Sequence, residues 1–212
     1  ARDPGEVYGA EKAASEACVR AVFGEARGLI VRSGLLAGPY DPTGRVTYWA
    51  RRRARGGEVL APGAPDRHVQ FIDARDLVEW VLESVARGLG GTFNVTGPAA
   101  PLTLGELLDG TQATWVNDGF LLDQGVAPWS ELPLWIPPGE GSLQLPVDKA
   151  MAAGLGAHLR PWRHTLDDVV DGAPAETLTA EREADVLARW HAATDARRFA
   201  PSTARNREPI RS

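Results

Sequence analysis

The sequence contains one cysteine, two lysines, no long apolar run and no visible signal-peptide pattern. Cys18 has no second cysteine to pair with, which agrees with a reducing compartment such as the cytoplasm. Within its predicted helix, we expect Cys18 to be a small buried residue. No apolar stretch approaches the roughly 20 residues that span a bilayer, and no segment has the charged and apolar regions of a secretion signal. We therefore expect a cytoplasmic protein without a membrane segment.

Metal-binding patterns and positive charge are also scarce. The four histidines show no metal-binding spacing, so we expect no metal site. The net charge of -5 provides no general attraction to nucleic acid or to an anionic membrane. The basic residues comprise 21 arginines and two lysines, a bias that is typical of bacteria with GC-rich genomes.

Helix and strand patterns alternate along the chain. With 212 residues and 43% hydrophobic content, the chain can bury one sizeable core. A strand pattern at 69–72, an amphipathic helix pattern at 73–86 and a strand pattern at 92–96 follow one another. This spacing predicts a right-handed crossover between parallel strands. We therefore predict an α/β fold with a parallel sheet and flanking helices.

Weaker patterns account for the rest of the chain. Helices are predicted at residues 7–26, 46–55, 103–108, 120–124, 148–155 and 179–193, and further strands at 29–31, 58–61 and 113–116. Segment 128–138 is rich in proline and tryptophan, and we expect it to be irregular with its large side chains buried. Asp167, Asp168 and Asp171 form an acidic cluster, which we interpret as the start of a helix. The predicted organisation is a first part at 1–110, a second segment at 111–193 and a disordered polar tail at 194–212.

Tyr8 and Lys12 form the motif with the clearest chemical use. Four residues apart on a helix, they lie on one face, one turn apart. An ammonium near a phenol favours the phenolate and lowers the phenol's pKa, so that the phenol can exchange a proton with a substrate oxygen near neutral pH. The alternative is an ordinary exposed pair on a helix surface, so the motif needs support from other segments.

Two other segments provide that support. Residues 29–39 (LIVRSGLLAGP) are similar to a strand that ends in Arg-Pro-Gly-Asn-x-Tyr-Gly-Pro, and residues 69–77 (VQFIDARDL) to a strand-to-helix junction. Together with Tyr8-x-x-x-Lys12, they make the chain resemble the extended short-chain dehydrogenase/reductases of the NAD-dependent epimerase/dehydratase type. The resemblance is good over about residues 7–110 and weak beyond them. It implies the C-terminal half of a Rossmann-like domain followed by a substrate-side segment.

The resemblance also implies roles for individual residues. Tyr8 would be the proton donor or acceptor at the substrate oxygen, and Lys12 would hold the nicotinamide ribose hydroxyls of NAD or NADP. Ser33, Gly34 and Leu35 would lie beside the nicotinamide. The reaction would be hydride transfer to or from a small carbonyl or hydroxyl compound, and the resemblance further implies a homodimer.

The sequence departs from this family in ways that matter. It contains no Gly-x-x-Gly-x-x-Gly turn for the dinucleotide and no equivalent of the Ser or Thr that polarises the substrate oxygen. We therefore expect an N-terminally truncated chain. Leu35 and Val69 stand where sugar-nucleotide enzymes usually have Asn and Arg, which argues against a sugar-nucleotide substrate.

An alternative is a non-catalytic remnant that acts as an interaction or RNA-binding module. Residues 51–53 are three consecutive arginines, and they follow Tyr48 and Trp49. Basic and aromatic side chains together can bind single-stranded RNA. The favoured interpretation of this run is a solvated basic helix face, so we do not expect a nucleic-acid partner.

Overall fold

The computed structural model describes residues 4–138, 144–169 and 177–199. The helices are α1 (Pro4–Phe23), α2 (Arg45–Arg55), α3 (Ala74–Ala86), α4 (Leu104–Leu107), α5 (Asp118–Asp123), α6 (Asp148–Ala152), α7 (Trp162–Val169) and α8 (Ala180–Phe199), with a 3₁₀ turn at Leu155–Ala157. The strands are β1 (Leu29–Ser33), β2 (Leu36–Ala37), β3 (Glu58–Pro62), β4 (His68–Val69), β5 (Ile72–Asp73), β6 (Gly91–Val95), β7 (Leu102–Thr103) and β8 (Gln112–Val116).

Parallel pairing dominates the strands. β1 pairs with β6, β2 with β5 and β3 with β8, all in parallel, whereas β4 and β7 are antiparallel. Only Gly34 and Leu35 separate β1 from β2, and the Ile72 amide donates to the Leu35 carbonyl at 2.9 Å. Parallel strands with flanking helices confirm the predicted α/β class and agree with a Rossmann-like arrangement.

The strand predicted at 69–72 is divided in two. β4 pairs with β7 and β5 with β2, so the chain changes partners between Val69 and Ile72. At the change of partner, the Gln70 side chain accepts from the Leu145 amide at 2.7 Å and donates to the Leu145 carbonyl at 3.3 Å. The apolar residues of this segment, Val69, Phe71 and Ile72, are all buried, although Val69 and Ile72 belong to different ladders.

Helix starts follow the capping signals in the sequence. Thr103 and Glu106 form the predicted capping box of α4, in which the Thr103 hydroxyl accepts from the Glu106 amide at 3.1 Å. The Arg182 amide donates to the Thr179 hydroxyl at 3.2 Å, which confirms Thr179 at the start of α8. Asp73 caps α3 by accepting from the Arg75 amide at 2.9 Å.

Two helices differ from the prediction. α7 was missed, and Asp167 and Asp168 lie in its last turns, so the expectation that they begin a helix is wrong. α8 continues to Phe199, six residues past its predicted end at 193. Asp171, the third member of the acidic cluster, and most of the predicted tail, residues 200–212, lie outside the described residues.

Two hydrophobic clusters make up the core. The larger includes Trp49, Leu60, Trp135 and Val186, and the smaller is built around Trp80 and other residues of α3, β6 and α6. Each cluster combines residues from before and after position 110, and the domain boundary predicted there stays a prediction. Among the described residues, every helix is too short or too polar to span a bilayer.

The irregular segment at 128–138 is packed into the larger cluster, as predicted. Leu132, Leu134 and Trp135 are fully buried. The Trp135 indole donates to Asp118 Oδ1 at 2.7 Å, and Arg67 donates to Asp118 Oδ2 at 2.8 Å and to the Ile136 carbonyl at 3.0 Å. These polar contacts hold a segment that lacks regular secondary structure of its own.

A buried ion pair fastens α8 to the rest of the molecule. Glu183 and Arg52 are only 3% and 5% exposed, and Arg52 Nε donates to Glu183 Oε1 at 2.7 Å. Glu183 also accepts from Arg55 and from the Leu60 amide of β3, the latter at 3.0 Å. One carboxylate on α8 therefore joins α2, α8 and the edge of β3.

The same contacts overturn the interpretation of residues 51–53 as a solvated basic face. Tyr48 and Trp49 are 6% and 0% exposed, and Arg52 is buried with Glu183. Arg53 donates to the Leu107 carbonyl. The aromatic surface on which RNA binding would depend is absent here, because both rings are part of the core.

We predict that Glu183→Gln destabilises the fold by about 3–5 kcal/mol, because it leaves the Arg52 guanidinium buried without a countercharge. Urea unfolding monitored by tryptophan fluorescence measures this change. Glu79→Gln, which changes an exposed glutamate on α3, is the matched control and should be nearly neutral. Equal stability of the two variants would contradict the prediction.

Candidate active site

Tyr8 and Lys12 lie one turn apart on α1, near the amino end of the helix. Lys12 Nζ is 5.3 Å from the centroid of the Tyr8 ring, and Tyr8 is 64% exposed. Lys12 makes no ion pair or hydrogen bond among the described residues. The spacing thus brings ammonium and ring together on an open surface, with the lysine N–H donors available to another molecule.

Polar contacts attach α1 to the parallel strands. Glu16, one turn after Lys12, accepts from Arg32 Nε and Nη2, both at 2.7 Å, and from Arg20 at 2.9 Å. Arg20 also donates to the Thr92 hydroxyl of β6 at 3.1 Å. Hydrogen bonds from Arg32 are the main cause that lowers the pKa of Glu16 to about 2. The carboxylate is therefore ionised at neutral pH and holds α1 against β1 and β6.

The outer side of α1 is uncovered. Val22 and Phe23 are 68% and 52% exposed, although both are apolar. Cys18 is exposed as well, so the prediction that it is a small buried residue is wrong. The sequence could not show this, because the apolar spacing of α1 fits a buried helix whether or not a partner covers it.

Ser33, Gly34 and Leu35 follow one another at the carboxyl end of β1. The Gly34 amide donates to the Val95 carbonyl at 2.9 Å, and a Cβ at Gly34 would lie 2.4 Å from the Thr96 hydroxyl. Only glycine therefore fits where these two strands end. Ser33 is exposed, whereas Leu35 packs against the larger hydrophobic cluster.

Thr96 lies beside Gly34 and has an unusual environment. The residue is 1% exposed, and its hydroxyl has no hydrogen-bond partner among the described residues. A buried hydroxyl without a partner costs free energy. This hydroxyl lies at the edge where the resemblance puts the nicotinamide, and no pattern in the sequence predicted it.

Asp73 is the centre of a second polar cluster at this edge. Its carboxylate accepts from Arg75 Nε at 2.8 Å and Nη2 at 2.7 Å and from the Thr165 hydroxyl at 3.0 Å. Arg160 lies 3.8 Å from Asp73 and donates to Asp76 Oδ1 at 2.5 Å. These contacts tie α7 and the segment before it to the start of α3.

The groups around Asp73 lower its pKa by more than burial raises it. Burial by itself would raise the pKa of Asp73, but hydrogen bonds from Arg75 and Thr165 and the charge of Arg160 lower it below its ordinary value. Arg75 also pairs with Asp168 at 2.6 Å. Sequence reasoning recognised the 69–77 motif but missed Arg160 and Thr165, which come from a distant segment and carry no motif.

Other predicted features are placed as follows. Trp115 and Trp129 are partly buried and Trp135 is buried, so core packing accounts for much of their surface. The described residues contain no group of three or more His, Cys, Asp or Glu side chains arranged to hold a metal ion. His158 contacts Glu83 at 2.9 Å and His191 contacts Glu58 at 2.6 Å, both as links between segments.

The NAD dependent epimerase/dehydratase family profile matches residues 2–96. This range covers less than half of the chain. It includes Tyr8, Lys12, the residues at the end of β1, and Asp73 with the whole of α3. No curated protein matches the sequence.

Several solved structures are similar to the chain at low identity. RMD from Pseudomonas aeruginosa, complexed with NADPH, is 15% identical with a TM-score of 0.47, over 75% of this chain and 52% of its own. A dTDP-4-dehydrorhamnose reductase from Clostridium acetobutylicum is 17% identical with a TM-score of 0.43, over 68% of this chain and 48% of its own. The chain thus spans about half the length of these structures, and values this low carry no conclusion about its function.

We predict that Asp73→Asn lowers stability at pH 7 and flattens the acid limb of the stability curve. A carboxylate with a lowered folded pKa stabilises the fold above its unfolded pKa of about 3.9, and this contribution disappears as pH falls through the folded pKa. Asparagine can still cap α3, so the variant isolates the charge. Urea midpoints between pH 7 and pH 2 measure the effect.

The control for this prediction is Asp66→Asn, which removes one carboxylate from an exposed position. This variant should keep both the stability and the acid limb of the unmodified protein. If Asp73→Asn kept them as well, the Asp73 charge would have no part in fastening α7 to α3.

Proposed function

We propose that the chain forms the catalytic and substrate-side part of an NAD(P)-dependent oxidoreductase or epimerase-like enzyme of the extended short-chain dehydrogenase/reductase type. The observation that carries the proposal is the exposed Tyr8–Lys12 pair, 5.3 Å from ring centroid to ammonium. The pair lies within the 95-residue stretch, 2–96, that matches the epimerase/dehydratase profile. The profile describes an NAD-dependent family, which supports a nicotinamide cofactor here.

The residues present fit the nicotinamide end of such a cofactor. Lys12 offers free N–H donors to ribose hydroxyls, and Ser33 is exposed at the carboxyl edge of β1, where ligands of parallel sheets bind. When bound, the nicotinamide would supply or accept a hydride. The 212 residues include no Gly-x-x-Gly-x-x-Gly turn, so we infer that residues outside this sequence hold the pyrophosphate.

Tyr8 and Lys12 would have different roles in the reaction. The Tyr8 hydroxyl would pass a proton to or from the substrate oxygen, and it is exposed enough to reach one. The positive charge of Lys12, one turn away, would stabilise negative charge that develops on the phenol oxygen. Glu16 and its two arginines would keep α1, and with it this pair, in register with the end of β1.

The substrate that we propose is a small carbonyl or hydroxyl compound and not a sugar nucleotide. Val69 is fully buried and Leu35 packs on the core, so neither side chain offers a polar group to a nucleotide diphosphate. Both positions serve packing in this chain. A compound without a nucleotide would not need them.

We predict that NADPH or NAD+ binds to this chain with low affinity and that Lys12→Ala weakens binding by about tenfold, through loss of charged hydrogen bonds. Isothermal titration measures the affinity. Lys149→Ala is the matched control, because Lys149 is the only other lysine and donates to the Thr92 carbonyl at 2.9 Å. Tyr8→Phe should leave cofactor binding intact, since its hydroxyl acts on the substrate.

Absence of heat at millimolar cofactor would contradict the prediction for this chain. The motif would then mark ancestry, and the protein would be the non-catalytic remnant that the sequence leaves open. Equal losses in Lys12→Ala and Lys149→Ala would instead show a general effect of charge and no ribose contact.

We also propose a homodimer that uses the uncovered side of α1. Light scattering at high concentration should show twice the monomer mass, and Val22→Glu should shift the protein to monomer by placing a charge in an apolar contact. Val85→Glu is the control: it changes an equally apolar residue, 62% exposed on α3. A monomer at all concentrations would exclude the dimer.

A further inference from the structure

Arg45, the first residue of α2, stacks on an aromatic ring. Its guanidinium carbon lies 4.7 Å from the centroid of the Trp129 ring. Arg45 has neither an ion pair nor a hydrogen bond from its side chain among the described residues. A guanidinium stacked in this way is held in position while the N–H donors at its edge stay free.

The Trp129 ring that holds Arg45 is itself firmly placed. Trp129 has a φ of 63°, a left-handed backbone conformation that bulky residues rarely adopt. Its amide donates to the carbonyl of the fully buried Trp135 at 3.0 Å. Backbone strain of this kind persists where the surrounding structure imposes it, and it is concentrated in ligand clamps and active sites.

The Arg45–Trp129 pair lies at the same edge of the fold as the candidate active site. β1 leads through Gly34 and Leu35 into β2, and the loop of residues 38–44 then connects the carboxyl end of β2 to Arg45. Ligands of parallel α/β sheets bind outside these carboxyl ends. Tyr40 in this loop has a φ of 70° and is 99% exposed.

We propose that Arg45 binds the oxyanion group of the substrate, with Trp129 as its platform. A free guanidinium edge matches a carboxylate or a phosphate through two parallel hydrogen bonds. The substrate class is then a small carbonyl or hydroxyl compound that also carries a carboxylate or phosphate. This assignment rests on the proposed function for its reaction, whereas the binding of the anion requires no cofactor.

The test is an NMR titration of the ¹⁵N-labelled chain, which follows the arginine Nε–H signals with pyruvate and with inorganic phosphate as probes. Sodium chloride at matched ionic strength is the reference. The signal absent from Arg45→Lys identifies Arg45. We expect saturable shifts of that signal with at least one probe, and the probe that binds more tightly distinguishes a carboxylate from a phosphate site.

Substitutions make the assignment falsifiable. Arg45→Gln and Arg45→Lys should each weaken binding by about tenfold, because neither side chain has the guanidinium fork. In these variants the backbone amide signals of the 38–44 loop report the binding. Arg27→Gln is the matched control, since Arg27 is exposed and, within the described part of the chain, its side chain hydrogen-bonds only to the Phe23 carbonyl, at 3.4 Å. Trp129→Leu removes the platform and should weaken binding too, with urea unfolding as the check that each variant is folded.

Shifts that sodium chloride reproduces, or equal affinity in Arg45→Gln and the unmodified chain, would overturn the proposal. These outcomes are separate from those of the cofactor titration. Anion binding without any NAD(P) binding would support the anion site at Arg45 and reject the proposed enzyme function. NAD(P) binding without anion binding would support the enzyme function and reject the anion site.

Discussion

The carboxylate of Asp73 is buried where β5 meets α3, and an unpaired charge at such a position would be strongly destabilising. Arg75, Thr165 and Arg160 compensate it, and two of these three come from the segment around α7. The burial of Asp73 therefore requires that α7 and its approach lie over the start of α3. A Cβ at Gly38 would approach Asp73 Oδ1 to 3.4 Å, so the loop before α2 also borders this charge. The edge where the candidate site lies is positioned by this one buried acid.

A comparable charge at Glu183 connects another set of elements. It pairs with Arg52 of α2 and accepts from the Leu60 amide of β3, so α8 covers an edge that another strand could otherwise occupy. The two buried acids are alike in their energetics. In both cases a carboxylate binds elements far apart in sequence. Removal of Glu183 would leave the buried Arg52 guanidinium without a countercharge, and removal of Asp73 would leave the Arg75 amide without its acceptor.

The candidate site combines a lightly attached helix with a rigid edge. α1 contacts the strands through Glu16, Arg20 and Arg32 and leaves Tyr8 and Lys12 exposed. The ends of β1 and β6 are instead fixed by backbone pairing and by the close approach of Gly34 to Thr96. Arg45 and Trp129 extend this edge toward α2. A compound with both a reactive oxygen and an anionic group would use the two kinds of surface together.

The sequence alone was enough for local features. The Thr103–Glu106 capping box, the 73–86 helix and the placing of Lys12 beside Tyr8 all depend on residues a few positions apart, whose geometry a helix determines directly. It was misleading where burial decides the outcome: Cys18 is exposed, Arg52 is buried, and the strand predicted at 69–72 belongs to two ladders. No pattern in the sequence pointed to Arg160, Thr165 or Glu183, because the sequence does not show whether a charged or hydroxyl side chain is solvated or paired. Those residues acquire their roles only when distant segments meet, since the cost of burying charge is settled by three-dimensional neighbours and not by neighbours along the chain.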